Sequence, residues 1–528
     1  MPGAEAGLLK DLRWAGLQWD EGPEVGGSCG PYRQSERLPL YEEHVQTLLN
    51  NRKAYRCFCS TDRIDELYRM RNDKGLPLGY DRRCADIPQE EADDKAARGE
   101  PHTIRFRAPE EYPKFDDVVY GRTGHGQGRG KQYQFDEPVF DDPILMKSDG
   151  FPTYHFANVV DDKLMQITHV IRGTEWMSST PLHIALYEAF GWSPPTFAHV
   201  PLLVDHNKQK LSKRNFDSDI STFRDKMGIF PETLTNFAAL LGWSHSQKSD
   251  VMDLAELEKV FDLKITKGNT IVAFQKLDFL QEQHARRRVR GGGENFEQMI
   301  RDTAVAMLDS FGAAAITNFV GKRQLRDVIA AMLRTESLPY HNPAQFSDSV
   351  KLFLSQQAFT SQPPLRDVIS NPKLLPHLRT AAATLLLTPL DSWHREIHRA
   401  NLSNLEISST PTPTSTPTKE QTKAAKKDLY AFLRWALLGG LQGPGIPDTM
   451  EILGRELSEQ RIRRAILAAR ETENETSRPV FDGSSSTSSR IRESGSGSGC
   501  GCGSTSKHPK AGESTDHKST WREHKLAT

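Results

Sequence analysis

Apolar residues recur at helical spacing near the start of the chain. Leu8, Leu12, Ala15 and Gly16 share one face, and the spacing predicts a helix there. A loop, DEGPEVGGSCGPYRQSERLPLY, follows, and a second helical pattern runs through Leu48 and Leu49. Between 57 and 150 the chain is more polar, and GRTGHGQGRGKQYQ reads as a surface loop. From 151 to 214 the period changes. ITHVIRG is a short apolar run closed by glycine, in a stretch that reads as alternating strand and helix. SSTPLHIALYEAFGW is helical: Thr180 suits the cap, Pro181 the first turn and Gly191 the exit. Leu182, Ala185, Leu186 and Ala189 form its apolar face. AHVPLLVD is then a strand that runs into VDHNKQKLSKRNFDSDI. Strand, helix, strand and a loop at the strand's C-terminal end predict a doubly wound α/β sheet, which binds ligands at those ends.

Beyond about 221 the pattern turns helical. PETLTNFAALLGW puts Leu234, Phe237, Ala238 and Leu241 on one face. In DLAELEKVF, Asp253 and Glu256 have capping-box spacing. HARRRVRGGG, at 284–293, marks a boundary, and a further helical region runs from about 294 to 475. A Thr/Pro linker-like insert interrupts it near 408–422. From 476 to 528 the Ser/Gly-rich composition cannot bury enough surface to fold.

Composition narrows the picture only a little. A length of 528 residues suggests about three to four domains. Lys plus Arg is 68 and Asp plus Glu is 69, so the net charge of −1 gives no global signature of nucleic-acid binding. Any polyanion site must come from local clustering. No run of about 18 apolar residues supports a membrane span. Six cysteines are too few for a disulfide framework and point to a reducing compartment. Cys57-x-Cys59 followed by Cys84 and Asp86 is the one pattern near metal-ligand spacing. Structural zinc sites are mostly Cys and His, so three packed thiols are favoured over zinc.

The local cation cluster is the chemical clue. Lys208, Lys210, Lys213 and Arg214 fall within seven positions. Alone, such a block is more often a solvated loop than a site. The surrounding motifs change that balance. DGFPTYHFANVVDD, THVIRGTEW and the K-L-S-K-R loop together resemble the class I glutamyl-tRNA synthetases of the bacterial and mitochondrial type. GLQWDEGPEVGG and GPYRQSERLPLY upstream, and LRWALLGGLQGPGIPDTMEILGRE near the C-terminus, are similar to the same family.

The resemblance implies a Rossmann-type catalytic domain at 1–56 and 151–220 and an inserted tRNA acceptor-binding domain at 57–150. It also implies a stem-contact domain at 221–290 and a helical anticodon-binding domain at 291–475. The expected activity is ATP-dependent attachment of glutamate to tRNA(Glu) through glutamyl-adenylate, with Mg²⁺ on the phosphates. Lys210 and Lys213 would be catalytic, because cations stabilise the charge that builds on leaving phosphate oxygens. Tyr154, Asn158 and Arg172 match glutamate-contact positions. Glu175, Trp176, Leu203, Lys210, Leu211, Ser212, Lys213 and Arg214 match the surroundings of ATP and the adenylate. Read without the family, Asp161 and Asp162 favour a loop or helix-start role over a metal pair.

Matched to the family, the chain begins after the first signature, H-x-G-H or its relatives. A first βα unit of roughly 30 residues would therefore lie upstream of Met1. The alternative is a non-catalytic tRNA-binding remnant. The substrate-contact positions favour the enzyme, because a relic would be free to lose Arg172 or Lys213. His183, in L-H-I-A, mimics that signature but lies within a helical pattern and reads as a packing histidine. A glutamyl-queuosine tRNA synthetase is a third reading, disfavoured by the long helical C-terminal part. The expected protein is a monomer in the mitochondrial matrix, with the cytoplasm as the alternative and tRNA(Gln) as an open second acceptor.

Overall fold

The computed structural model describes residues 3–124, 140–211, 219–354, 375–404 and 419–476. Ser212, Lys213, Arg214, most of the Thr/Pro insert and the Ser/Gly-rich C-terminal segment from 477 lie outside the described residues.

The first helix, α1 (Ala4–Trp14), buries Leu9 and leaves Leu8 exposed, while Leu12 is half-buried and Ala15, just past its end, is buried as predicted. The second, α2 (Leu38–Asn50), buries Tyr41, Val45, Leu48 and Leu49. Strand β1 (Ala54–Cys57) then opens a small layer with two helices, α3 (Thr61–Asp73) and α4 (Gln89–Ala97). Its sheet is antiparallel in the order β1, β2 (Thr103–Phe106), β5 (Ile144–Met146).

Between β2 and β5 the chain makes β3 (Phe115–Asp117) and β4 (Gly121–Thr123). These two strands do not stay with the polar insert. They join a second sheet, in the order β4, β3, β7 (Thr196–Val200), β6 (His169–Gly173). Residues 115–123 thus belong structurally with the 151–220 segment, although their sequence places them inside 57–150. The short strands carry too few alternating positions to announce a partner. Pairing is parallel for β3–β7 and β6–β7, and the β6–β7 register sets Arg172 opposite His199. Helix α6 (Thr180–Phe190) is the crossover between β6 and β7, as predicted. Its Gly191 exit has φ 73°, a left-handed conformation that glycine adopts without steric cost. Ser179, rather than Thr180, occupies the cap position, and the Thr180 hydroxyl is used elsewhere.

Helix α5 (Tyr154–Leu164) packs on α2 and α6 and carries Asp161 inward. Asp161 is a helix residue rather than a loop or helix start. Its carboxylate accepts Arg37 Nε at 2.7 Å, Tyr41 Oη at 2.8 Å and Gln34 Nε2 at 3.1 Å. Arg37 Nη1 in turn donates to the carbonyls of Cys29 and Pro31. One buried ion pair therefore ties the 29–37 loop and α2 to α5.

The predicted strand AHVPLLVD is split. Strand β7 stops at Val200, before Pro201, which has no N–H for a ladder. The chain resumes as β8 (Leu203–Val204), parallel to β9 (Thr270–Ile271) in a separate two-stranded sheet. Around this sheet lie α7 (Pro231–Ala239) and α8 (Leu254–Val260), the latter with both bonds of the Asp253/Glu256 capping box.

Two long helices follow, α9 (Phe274–Gly291) and α10 (Gly293–Val320), broken at Gly292. The remaining helices close one large core containing Phe296, Ile329, Phe346, Leu433 and Met450. Helix α10 is long and apolar enough to cross a membrane. Gly312 interrupts it, however, and Met299, Met307 and Phe319 pack in that core.

Asp161→Ala leaves the Arg37 guanidinium buried without its partner. Chemical denaturation should show a loss of about 3–5 kcal/mol. Removing the exposed Arg122–Asp116 pair by Arg122→Ala should change stability by less than about 1 kcal/mol.

Candidate active site

The C-terminal ends of β6 and β7 and the first turns of α5 and α6 converge on Arg172. Its guanidinium is partly buried and pinned at every nitrogen. Nε donates to His199 Nε2 at 3.2 Å, Nη1 to His183 Nδ1 at 3.4 Å, and Nη2 to Thr180 Oγ1 at 2.7 Å. All three acceptors are uncharged groups. Among the described residues, no carboxylate forms an ion pair with Arg172. Burial, opposed by the fields of Tyr154 and Asp162, lowers its pKa from the ordinary arginine value.

The imidazoles around it stay neutral. Burial, helped by the Arg172 charge, pushes His183 down to about 3. The same two causes lower His155, whose Nδ1 lies 2.9 Å from His183 Nε2. His199 is lowered too, by burial against a pull upward from Asp117. On α5, Asp162 is raised to about 6 by burial and then by the neighbouring Asp161 charge.

Tyr154 and Asn158 are one helical turn apart on α5 and so share a face. The exposed Tyr154 ring lies against Trp176 with centroids 4.8 Å apart. Asn158 Oδ1 is buried with no donor reaching it. Such an orphan acceptor is rare in a settled interior.

Three residues beyond Arg172, Glu175 lies over Gly173, where a Cβ would come within 1.9 Å of its carboxylate. Glu175 Oε1 also accepts Lys210 Nζ at 3.3 Å, an exposed pair. Lys210 sits on a tight hairpin. Val204 bridges Lys210, and Asp205 Oδ1 accepts the N–H groups of Asn207 and Gln209. Leu203 and Leu211, one on each arm, line an apolar cavity of about 780 Å³ with Phe223 and Phe237.

The structure therefore brings together Tyr154, Asn158, Arg172, Glu175, Trp176 and Lys210. His199, Thr180 and Asp117 have no local signature in the sequence. Strand register brings His199 to Arg172 and Asp117 to His199, and the start of α6 brings Thr180. His183 packs as predicted, but against the guanidinium.

A second cluster lies in the small layer. The sulfurs of Cys57, Cys59 and Cys84 lie within 4.8 Å of one another. Tyr80 Oη stands 3.2 Å from Cys57 Sγ and 3.3 Å from Cys59 Sγ. Hydrogen bonds from Cys59 and Cys84 hold the Cys57 thiol below the ordinary range. Asp86 is exposed and outside the group, which corrects the Cys/Cys/Cys/Asp set. The chain turns after Cys84, and the tyrosine takes the fourth corner.

Comparison with known proteins bears on the family and the fold. The family described as tRNA synthetases class I (E and Q), catalytic domain, matches residues 1–279. An anticodon binding domain matches 417–466. A glutamate–tRNA ligase of Clostridioides difficile is 33% identical over 473 residues, covering 87% of this chain and 88% of that protein. A mitochondrial glutamate–tRNA ligase of Schizosaccharomyces pombe is 35% identical, covering 88% and 82%. A glutamate tRNA ligase structure from Elizabethkingia meningosepticum, in complex with its amino acid, superposes with a TM-score of 0.64. It shares 26% identity and covers 89% of this chain and 90% of that one.

His183 is neutral in the fold but would bind a proton near pH 6.5 when unfolded. The unfolded state takes up more protons between pH 6.5 and about 3, so stability falls as pH drops through that window. Urea denaturation at pH 7.5 and pH 5.0 should show this loss, and His183→Asn should reduce it.

Proposed function

This chain belongs to the class I tRNA synthetases for glutamate and glutamine, and on that footing we propose that it is a glutamate–tRNA ligase whose substrate carboxylate is held by Arg172. The observation that carries the reading is a partly buried guanidinium ringed by neutral acceptors. A cation in that setting keeps its full attraction for an incoming anion. Glutamate brings that anion, and its ammonium suits the exposed face of Tyr154.

In the first step the α-carboxylate of glutamate attacks the α-phosphorus of ATP. The bond to the bridging oxygen breaks, and pyrophosphate leaves with the electron pair. Lys210 neutralises charge on the phosphates, exchanging Glu175 for them. That exchange is cheap because an exposed ion pair contributes little. Lys213 and Arg214 are expected to add positive charge there, and Ser212 a hydrogen bond. A Mg²⁺ ion on the phosphates would supply further charge neutralisation. Trp176, Leu203 and Leu211 flank the nucleotide. In the second step a terminal ribose hydroxyl of tRNA attacks the activated carbonyl, and AMP departs.

The β1–β2–β5 layer would receive the acceptor end, the α7–α9 region the stem, and the helical part the anticodon. The anticodon-domain match over 417–466 argues against the shorter queuosine-modifying relative. Mitochondrial relatives at 35% and 44% identity support a mitochondrial matrix address. A monomer acting on tRNA(Glu), with tRNA(Gln) as a second acceptor, completes the reading.

The three sulfurs and Tyr80 Oη form a donor set that a Zn²⁺ ion would accept. Elemental analysis of protein purified under reducing conditions should give one zinc per chain, lowered by Cys59→Ser. Absence of metal would leave three packed thiols.

Charging of tRNA(Glu) by the full-length protein tests the main reading. Arg172→Ala should raise the glutamate KM by about 10²-fold, the worth of a charge-assisted contact. Lys210→Ala should lower kcat by about 10²-fold with little change in glutamate KM. Charging that is untouched by both substitutions would reject the assignment.

A further inference from the structure

We propose that His199, fixed in one tautomer by Asp117, is a positioning residue that aims Arg172 at the substrate without neutralising it; this rests on the assignment of Arg172 as the carboxylate-binding group.

Asp117 is fully buried on β3, and both of its oxygens are saturated. Oδ1 accepts the N–H groups of Val119 and Tyr120 at 2.9 and 2.8 Å. Oδ2 accepts the His199 backbone N–H at 3.0 Å and faces His199 Nδ1 at 2.7 Å. A carboxylate with no spare proton requires the hydrogen on Nδ1. The opposite nitrogen then presents a lone pair. That lone pair meets Arg172 Nε, which can only donate. Thr180 Oγ1 lies 3.1 Å from the same nitrogen and accepts Arg172 Nη2. The other tautomer, or a protonated ring, would set N–H against N–H.

The Asp117 charge is thus spent on backbone amides and on one imidazole edge, a full ring away from the guanidinium. An acid placed directly on Arg172 would orient it equally well but would compete with substrate. An imidazole interposed between acid and arginine orients without competing. His183 plays the same uncharged part at Nη1, passing its own hydrogen bond to His155.

Two substitutions at His199 separate aiming from mere packing. In His199→Asn the amide nitrogen takes the place of Nδ1 and keeps the bond to Asp117, but nothing reaches Arg172. In His199→Gln the longer side chain carries an acceptor to the position of Nε2. With the full-length protein charging tRNA(Glu), His199→Asn should raise the glutamate KM at least tenfold. The ATP KM and kcat at saturating glutamate should stay within threefold. His199→Gln should recover most of the loss. Equal effects of the two variants, or a fall in kcat with glutamate KM unchanged, would overturn the proposal. Arg172→Ala is measured beside them. If it leaves the glutamate KM unchanged, the assignment of Arg172 itself has failed. If it raises KM while His199→Asn does not, only the role of His199 has failed. Nitrogen-15 NMR of the unsubstituted protein gives a check that needs no variant. His199 should show the Nδ1–H tautomer at neutral pH, and an Nε2–H or doubly protonated ring would overturn the inference.

Discussion

The Arg172 guanidinium is held by an imidazole on a neighbouring strand, an imidazole on a neighbouring helix and a hydroxyl, none of them charged. Burying a cation this way costs solvation that no counter-ion returns. The arrangement persists because every element around it is fixed for other reasons. Strand β6 lies in register with β7, so that Arg172 faces His199. Strand β3 lies on the far side of β7 and brings Asp117 to the same point. A slip of one residue between β6 and β7 would carry Arg172 to the face opposite His199 and break the hydrogen bond between them. The register of three short strands is therefore also the alignment of the site.

Around this rigid centre the cationic loop is loosely attached. Its described hairpin is built from backbone bonds and an Asp205 turn, with the Lys208 and Lys210 side chains exposed. Its base is not on the four-stranded sheet. Strand β8 pairs with β9, in the segment that leads into the long helices. The phosphate-facing loop and the helical half of the molecule thus share a two-stranded ladder. Side chains join them as well, since Leu211 packs with Val272, Phe274 and Leu277 in one apolar cluster.

The arginine run in HARRRVRGGG has a similar lesson. Three consecutive guanidiniums are each matched to a different element: Arg286 to Glu282 on the same helix, Arg287 to Glu256 on α8, and Arg288 to Glu232 on α7. Arg288 also lies 3.6 Å over the Phe230 ring. This run joins helices to one another, and only its geometry distinguishes it from a nucleic-acid surface.

Much was decided locally. The crossover helix with its Pro181 entry and Gly191 exit, the Asp253/Glu256 capping box and the strand ITHVIRG all lie where spacing and cap chemistry put them. Tyr154 and Asn158 were read from the family motif PTYHFAN, and helix α5 then sets them one turn apart on one face. The motifs around Arg172 and Lys210 carried the family. What the chain could not disclose locally was which distant segments meet. The capture of 115–123 by the main sheet, the replacement of Asp86 by Tyr80 beside the thiols, and the Asp117–His199–Arg172 line all join residues from separate segments. Periodicity and capping are properties of neighbours along the backbone, and sequence determines them. Strand register and the closing of a buried hydrogen-bond network are properties of neighbours in space, and only the packed structure fixes them.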